Sequence, residues 1–89
     1  MLDQGFVLHP RVALRPEPFG ALAYHYDNRR LIFLKHPDVV RVVRCIGDHP
    51  TLRAALMACG IAEQRWPSFE RAVGSLVGSE MLHERVLAG

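Results

Sequence analysis

The chain has 89 residues, of which 49% are hydrophobic and 22% charged, and carries a net charge of +2. That length makes one domain, 1–89, which buries only about 60% of the surface of its unfolded chain and leaves little room for a deep catalytic cleft, while this level of apolarity excludes disorder. The slight positive charge is weak support for nucleic acid and comes almost wholly from arginine, with Lys35 the only lysine, which suits forked pairing to carboxylates or phosphates.

At the N-terminus, MLDQGFVLHPRV lacks a basic segment followed by a long apolar core and is no signal peptide. No apolar run approaches the roughly 20 residues that span a bilayer, so the chain reads as soluble and cytoplasmic, without a membrane partner. The first third reads as strands and turns. VALR (12–15) is a short strand that Pro10, Pro16 and Pro18 confine to a sheet margin. Gly20 releases the chain into ALAYHY (21–26), with Leu22, Tyr24 and Tyr26 on one face. Asp27 and Asn28 tolerate the left-handed backbone of a tight turn. RRLIFLK (29–35) then returns antiparallel, with Leu31, Phe33 and Lys35 on one face and Arg30, Ile32 and Leu34 on the other. Apolar groups therefore occupy both faces of this strand.

The remainder reads as helices. Pro37 suits a first helical position and Gly47 a stop, with Val39, Val42, Val43 and Ile46 at helical spacing. The same punctuation recurs from Pro50 to Gly60, with Leu52, Ala55, Leu56 and Cys59 in line. A third helix begins near Pro67 and carries Phe69, Ala72, Val73, Leu76 and Val77 on one stripe. Gly74 and Gly78 weaken it by about 1 kcal/mol each relative to alanine. The expected fold is α+β: a small antiparallel sheet of three strands followed by three helices, in the outline of a winged helix-turn-helix.

Chemistry is scarce in this pattern. His9, His25, His36, His49 and His83 include no i, i+4 metal pair and read as turn and surface residues. Cys45 and Cys59 fall on helical stripes and read as reduced core residues, with no CxxC spacing. Ser75 and Ser79 have no activating neighbour pattern, and no phosphate-binding glycine loop is present. No catalytic residue, metal or cofactor is expected. The third helix, with Glu70 and Glu80 against Arg71, is poorly suited to reading a DNA groove, so nucleic acid is not expected as a partner.

Peptide binding fits better. If RRLIFLK is a sheet edge, its unpaired backbone accepts another strand, and a groove against the third helix offers pockets for apolar anchors. The flanking arginines favour acidic residues beside those anchors. The alternative is that LIFL is simply core, with Phe33 against the helices and Ile32 covered by the N-terminal segment; the residues alone leave both readings open. An open edge also admits a second copy of the chain.

LHPRVALRPEPFGALAYHYDNRRLIFLK (8–35), followed by HPDVVRVVR and HPTLRAAL, resembles the mycofactocin peptide chaperone family, over about Leu8 to Leu82. That family is similar to the small chaperone of pyrroloquinoline quinone biosynthesis, both being recognition elements for ribosomally made, modified peptides. The resemblance implies a non-catalytic protein that binds the leader of a short precursor peptide and delivers it to a radical S-adenosylmethionine enzyme, which itself holds the iron–sulfur clusters and cofactor. It implies that the leader lies as an extra strand on Arg29, Arg30, Leu31, Ile32, Phe33, Leu34 and Lys35, against Phe69, Ala72, Val73 and Leu76 of the third helix. PEPFG (16–20) is either part of an enzyme-contacting surface or a proline-restricted turn that packs Phe19.

Overall fold

The computed structural model describes residues 1–85. Strands β1 (Phe6–Leu8), β2 (Val12–Glu17), β3 (Gly20–His25) and β4 (Leu31–Leu34) precede helices α1 (Pro37–Cys45), α2 (Leu52–Ala58) and α3 (Trp66–Gly78), and β5 (Leu82–Glu84) follows. The expected sheet is present, antiparallel in the order β2-β3-β4, with three helices after it. A second, unexpected sheet pairs β1 with β5, matching Phe6 to Glu84 and Leu8 to Leu82. Three-residue strands carry too little alternation to be read from sequence, and each depends on a partner more than 70 positions away.

Element ends follow local chemistry. β2 runs past the expected VALR to Glu17, carrying Pro16 opposite Ala21. Proline is tolerated there because β2 is an edge strand. Glu17 faces Gly20 across a two-residue turn, which makes PEPFG the β2–β3 corner. β4 is shorter than the expected 29–35. The left-handed turn residue is Arg29, at φ 59°, rather than Asp27 or Asn28.

α1 opens on Pro37, with His36 as its cap: His36 Nδ1 accepts the Asp38 N–H at 3.2 Å. It ends at Cys45 and passes into a 3-10 turn, Ile46–Asp48, so Gly47 lies within the turn and not at a helix stop. α2 starts after Pro50, where Thr51 Oγ1 accepts the Ala54 N–H at 3.1 Å. A second 3-10 turn, Glu63–Arg65, leads into α3, and the Trp66 indole donates to the Ile61 carbonyl at 2.9 Å.

The core joins these elements. Ala21 and Ala23 occupy the inner face of the central strand and are fully buried. Their small size lets α1 lie close beneath β3 and β4. Val40, Val42, Val43 and Ile46 meet Leu52, Ala55, Leu56, Phe69, Val73 and Leu76. Val39, expected on the buried stripe, is only partly covered, and Val40 is buried instead. Cys45 and Cys59 are half-buried rather than core residues, with sulfurs 3.3 Å apart. Burial and the contact with Cys59 push the Cys45 thiol up to about 11, so it is protonated and poorly nucleophilic at neutral pH.

Gly20 starts β3 at φ +146°, where a Cβ would also collide with the Leu34 carbonyl oxygen. Strained backbone of that kind costs roughly 1–3 kcal/mol without counting the collision. Gly20→Ala is therefore expected to lower stability by at least about 1–3 kcal/mol in urea unfolding, by separating β4 from β3. An unchanged midpoint would contradict the close approach.

Candidate functional site

Among the described residues, β4 is paired on one side only. In antiparallel sheets, residues alternate between bonding one neighbour and the other. The Tyr26 N–H donates to the Arg11 carbonyl, and the His25 N–H to the Arg30 carbonyl at 3.0 Å. With the register Ala23 to Ile32 and Ala21 to Leu34, that phase assigns Arg30, Ile32 and Leu34 to the β3 ladder. The N–H and C=O groups of Leu31 and Phe33 therefore point to the open edge. Side chains alternate in step with this: Ile32 and Leu34 face inward, whereas Leu31 and Phe33 stand outside at 55% and 57% exposure. The reading of LIFL as core with Phe33 against the helices is corrected here, since Phe33 occupies the opposite face.

Beside the open edge runs a groove of about 290 Å³ between β4 and α3. Ile32, Phe33, Leu34 and Lys35 form one wall, Ala72, Ser75 and Leu76 the other, and His36 and Val39 close one end. α1 supports β3 and β4 from below, while α3 is anchored on β5, which leaves the space between β4 and α3 unfilled.

Polar contacts hold both ends of this groove. At the start of β4, His25 Nδ1 accepts the Asp27 and Asn28 N–H groups at 3.1 and 3.3 Å. Asn28 Oδ1 accepts the Arg30 N–H at 2.9 Å, and its Nδ2 donates to the Ser79 carbonyl and to Glu80 Oε2. One asparagine thus shapes the turn and ties it to the end of α3. At the other end, Arg65 donates to Asp38 at 3.0 Å and Arg41 at 3.2 Å, joining the first turn of α1 to the start of α3.

The sequence-derived candidates divide accordingly. Ile32, Phe33, Leu34, Lys35, Ala72 and Leu76 come together in the groove. Arg29 and Arg30 lie exposed at its turn end. Leu31 gives its backbone to the edge but its side chain to the outer face. Phe69 adjoins a neighbouring hollow with His36, Val39, Arg65 and Ser68, and Val73 is 2% exposed, in the core. Sequence reasoning missed His36, Val39 and Ser75 as lining residues. Ser75, one helical turn from Ala72, was within reach of periodicity, whereas His36 read as a turn or surface residue and Val39 as core.

His25 is buried, at 3% exposure, and is not a surface histidine. Its ring lies 4.4 Å from that of His9, beside a hollow of about 650 Å³ that also includes His83, Glu80 and Glu84. Because Nδ1 accepts backbone hydrogens, the His25 proton sits on Nε2 and no lone pair is offered to a metal. Among the described residues, no group of three or more His, Cys, Asp or Glu is placed to hold a metal ion. Nor, among the described residues, is any helix long and apolar enough to cross a membrane.

The Arg65 hydrogen bond, aided by the Arg41 charge, holds the Asp38 carboxyl below its ordinary value of 3.8. A lowered carboxyl stabilises the fold above its ordinary value, and that contribution is lost as pH falls through the lower, folded value. Asp38→Asn is expected to lose less stability between pH 6 and pH 3 than the parent chain does, measured as thermal midpoints. Parallel curves would mean that the contact contributes nothing measurable, as many surface pairs do.

The family model described as the peptide chaperone MftB family matches residues 5–83. The peptide chaperone MftB of Mycolicibacterium smegmatis is 50% identical over 90% of this chain and 78% of its own length. Those of Mycobacterium ulcerans and Mycobacterium tuberculosis are 46% and 43% identical, covering 90% and 93% of this chain and 73% and 76% of the relatives. No solved structure matches the chain. An open strand edge beside an apolar groove suits a peptide chaperone, and the chain belongs to the MftB family of peptide chaperones.

Proposed function

We propose that this protein binds the leader of a mycofactocin precursor peptide as an added strand on β4 and delivers it, in the cytoplasm, to a radical S-adenosylmethionine maturase. The observation that carries this reading is the coincidence of the unpaired Leu31 and Phe33 backbone groups with an apolar groove directly beside them. The names of the relatives support a peptide as ligand.

Magnitudes show how the two parts cooperate. Backbone bonds at Leu31 and Phe33 add about 0.5–1.5 kcal/mol each, which largely offsets the ~2–5 kcal/mol of ordering a free peptide. Net affinity then rests on side chains of the leader entering the groove, at roughly 1.5–3 kcal/mol for each one fully buried. A hollow of about 290 Å³ suits a small number of aliphatic anchors. Arg29, Arg30 and Lys35 are exposed and have no ion-pair partner among the described residues, so carboxylates near those anchors are favoured. Delivery works by raising the local concentration of the peptide at the enzyme and fixing its direction.

Calorimetric titration with synthetic precursor, with and without its leader, tests the reading. Heat that depends on the leader is expected; its absence with folded protein would refute leader binding. Strong, salt-dependent association with duplex DNA instead would indicate a nucleic-acid protein.

The edge geometry gives a sharper pair of outcomes. Phe33→Pro removes an N–H that faces the open edge and, compared with Phe33→Ala, should weaken leader binding roughly 2- to 12-fold, the equivalent of about 0.5–1.5 kcal/mol. Ile32→Pro removes an N–H committed to β3 and should disrupt the sheet itself. Ala72→Trp, on a partly exposed groove position, should occlude the groove and lower affinity at least tenfold with little change in thermal midpoint. Leu76, 3% exposed, is a poor probe because a charge there is buried in the core.

A further inference from the structure

Cys45 and Cys59 stand 14 positions apart in the chain, yet the fold brings their sulfurs to 3.3 Å. Cys45 is the last residue of α1, and Cys59 caps the end of α2. Neither lies in a helix interior, so side-chain rotation and small backbone shifts cost little at both. Gly60 follows Cys59 directly, at φ +70° and with open space beside it. A disulfide bond is about 2 Å long, so the sulfurs need to close by only about 1 Å. Both residues are half-buried free thiols, within reach of small solutes. Packing does not require the thiols, because Val42, Val43, Leu52, Ala55 and Leu56 already fill the core between these helices. A metal is a poor occupant, since no third His, Cys, Asp or Glu among the described residues completes a ligand set.

The two sulfurs are not equivalent. Cys45 Sγ lies 3.5 Å from the Val42 carbonyl oxygen, which accepts its proton. Burial, the contact with Cys59 and the charge of Asp48 all favour that protonated form. The thiolate is the nucleophile and the thiol is not, which leaves Cys59 as the sulfur that meets an oxidant first. Arg41 of α1 donates to the Cys59 carbonyl and so holds the end of α2 against α1 while the sulfurs react.

We infer that Cys45 and Cys59 form a reversible intramolecular disulfide, made by exchange with a small-molecule disulfide, that fastens α1 to α2. The Cys59 thiolate attacks one sulfur of the small disulfide, whose S–S bond breaks and whose other half leaves as a thiolate. Cys45 gives its proton to that thiolate and attacks the Cys59 sulfur, which forms the internal bond and expels the second half. The proton that Cys59 lost to solvent on ionising returns to this second leaving thiolate. Two protein thiols are thereby oxidised, and one small disulfide is reduced to two small thiols. α1 packs on β3 and β4, so the bridge braces the helix beneath the open edge. The groove is lined by Val39, at the opposite end of α1 from Cys45, and stays clear of it. In a reducing compartment the pair remains open and closes when small disulfides accumulate.

The full chain, reduced and freed of reductant, is incubated with oxidised glutathione and followed by intact mass, thiol titration, sedimentation and thermal melting. The expected product is a monomer lighter by two hydrogens, with neither thiol titratable, that reverts with dithiothreitol. Closing a loop of this length constrains the unfolded chain, so the oxidised form should melt roughly 10 °C higher. Cys45→Ala should stop at a glutathione adduct on Cys59, because the sulfur that resolves it is gone. Cys59→Ala should take up glutathione at least tenfold more slowly. A folded parent chain that keeps both thiols free, carries glutathione on both sulfurs, or links into dimers overturns the pairing. An internal bridge that lowers the melting temperature overturns the fit of the bond to this fold, and equal adduct rates in the two variants overturn the order of attack. The parent-chain result decides the pairing by itself if either variant melts below the assay temperature.

Discussion

The phase of the β3–β4 hydrogen-bond ladder governs which backbone groups this molecule leaves free. The Arg30 carbonyl and the backbone groups of Ile32 and Leu34 are directed to β3, so Leu31 and Phe33 must direct theirs to the open edge. A shift of one residue would exchange these roles and also turn Leu31 and Phe33 into the core. The phase is held by the 26–30 turn: the buried His25 ring gathers two backbone N–H groups, and Asn28 caps a third while tying the turn to the end of α3. Gly20 fixes the other end by letting the Leu34 carbonyl approach as no other residue permits.

An unpaired edge invites indiscriminate strand pairing, and the fold limits that hazard. β4 is only four residues long, with charged residues directly before and after it. The opposite edge, on β2, carries Pro16, which has no N–H to donate. Edge pairing alone offers too little to hold a flexible peptide, and the adjacent groove makes any added strand answer to side-chain fit as well. On the proposed reading, selectivity would reside in Ile32, Leu34, Ala72 and Leu76, and attachment in the backbone of their neighbours.

The same economy of size explains why so much apolar surface stays outside. A chain of 89 residues cannot enclose all its large side chains, and here much of the excess lies on the outer face of one sheet. The inner face uses alanines to admit α1, while the outer face keeps Leu22, Tyr24, Tyr26, Leu31 and Phe33. A peptide chaperone acts through its surfaces, and here the groove beside β4 adjoins an outer apolar face with which it shares Phe33.

The α+β order, the helical stripes, the antiparallel return of RRLIFLK and the separation of its two side-chain rows were all legible in the sequence, because 2-residue and 3.6-residue periods are local properties. The groove itself was legible as a possibility, and Ile32, Phe33, Leu34, Lys35, Ala72 and Leu76 do meet there. Periodicity could not separate Ala72 from Val73, which share a stripe yet lie in the groove and in the core respectively, since a helix buries an arc whose limits depend on its neighbours. Nor could it reveal β1 and β5, whose pairing joins the two ends of the described chain, or show that Phe33 faces outward. Sequence alone determined which residues alternate and which recur. Only the tertiary structure decided which face is inside and which backbone groups stay free, because those depend on contacts between residues far apart in the chain.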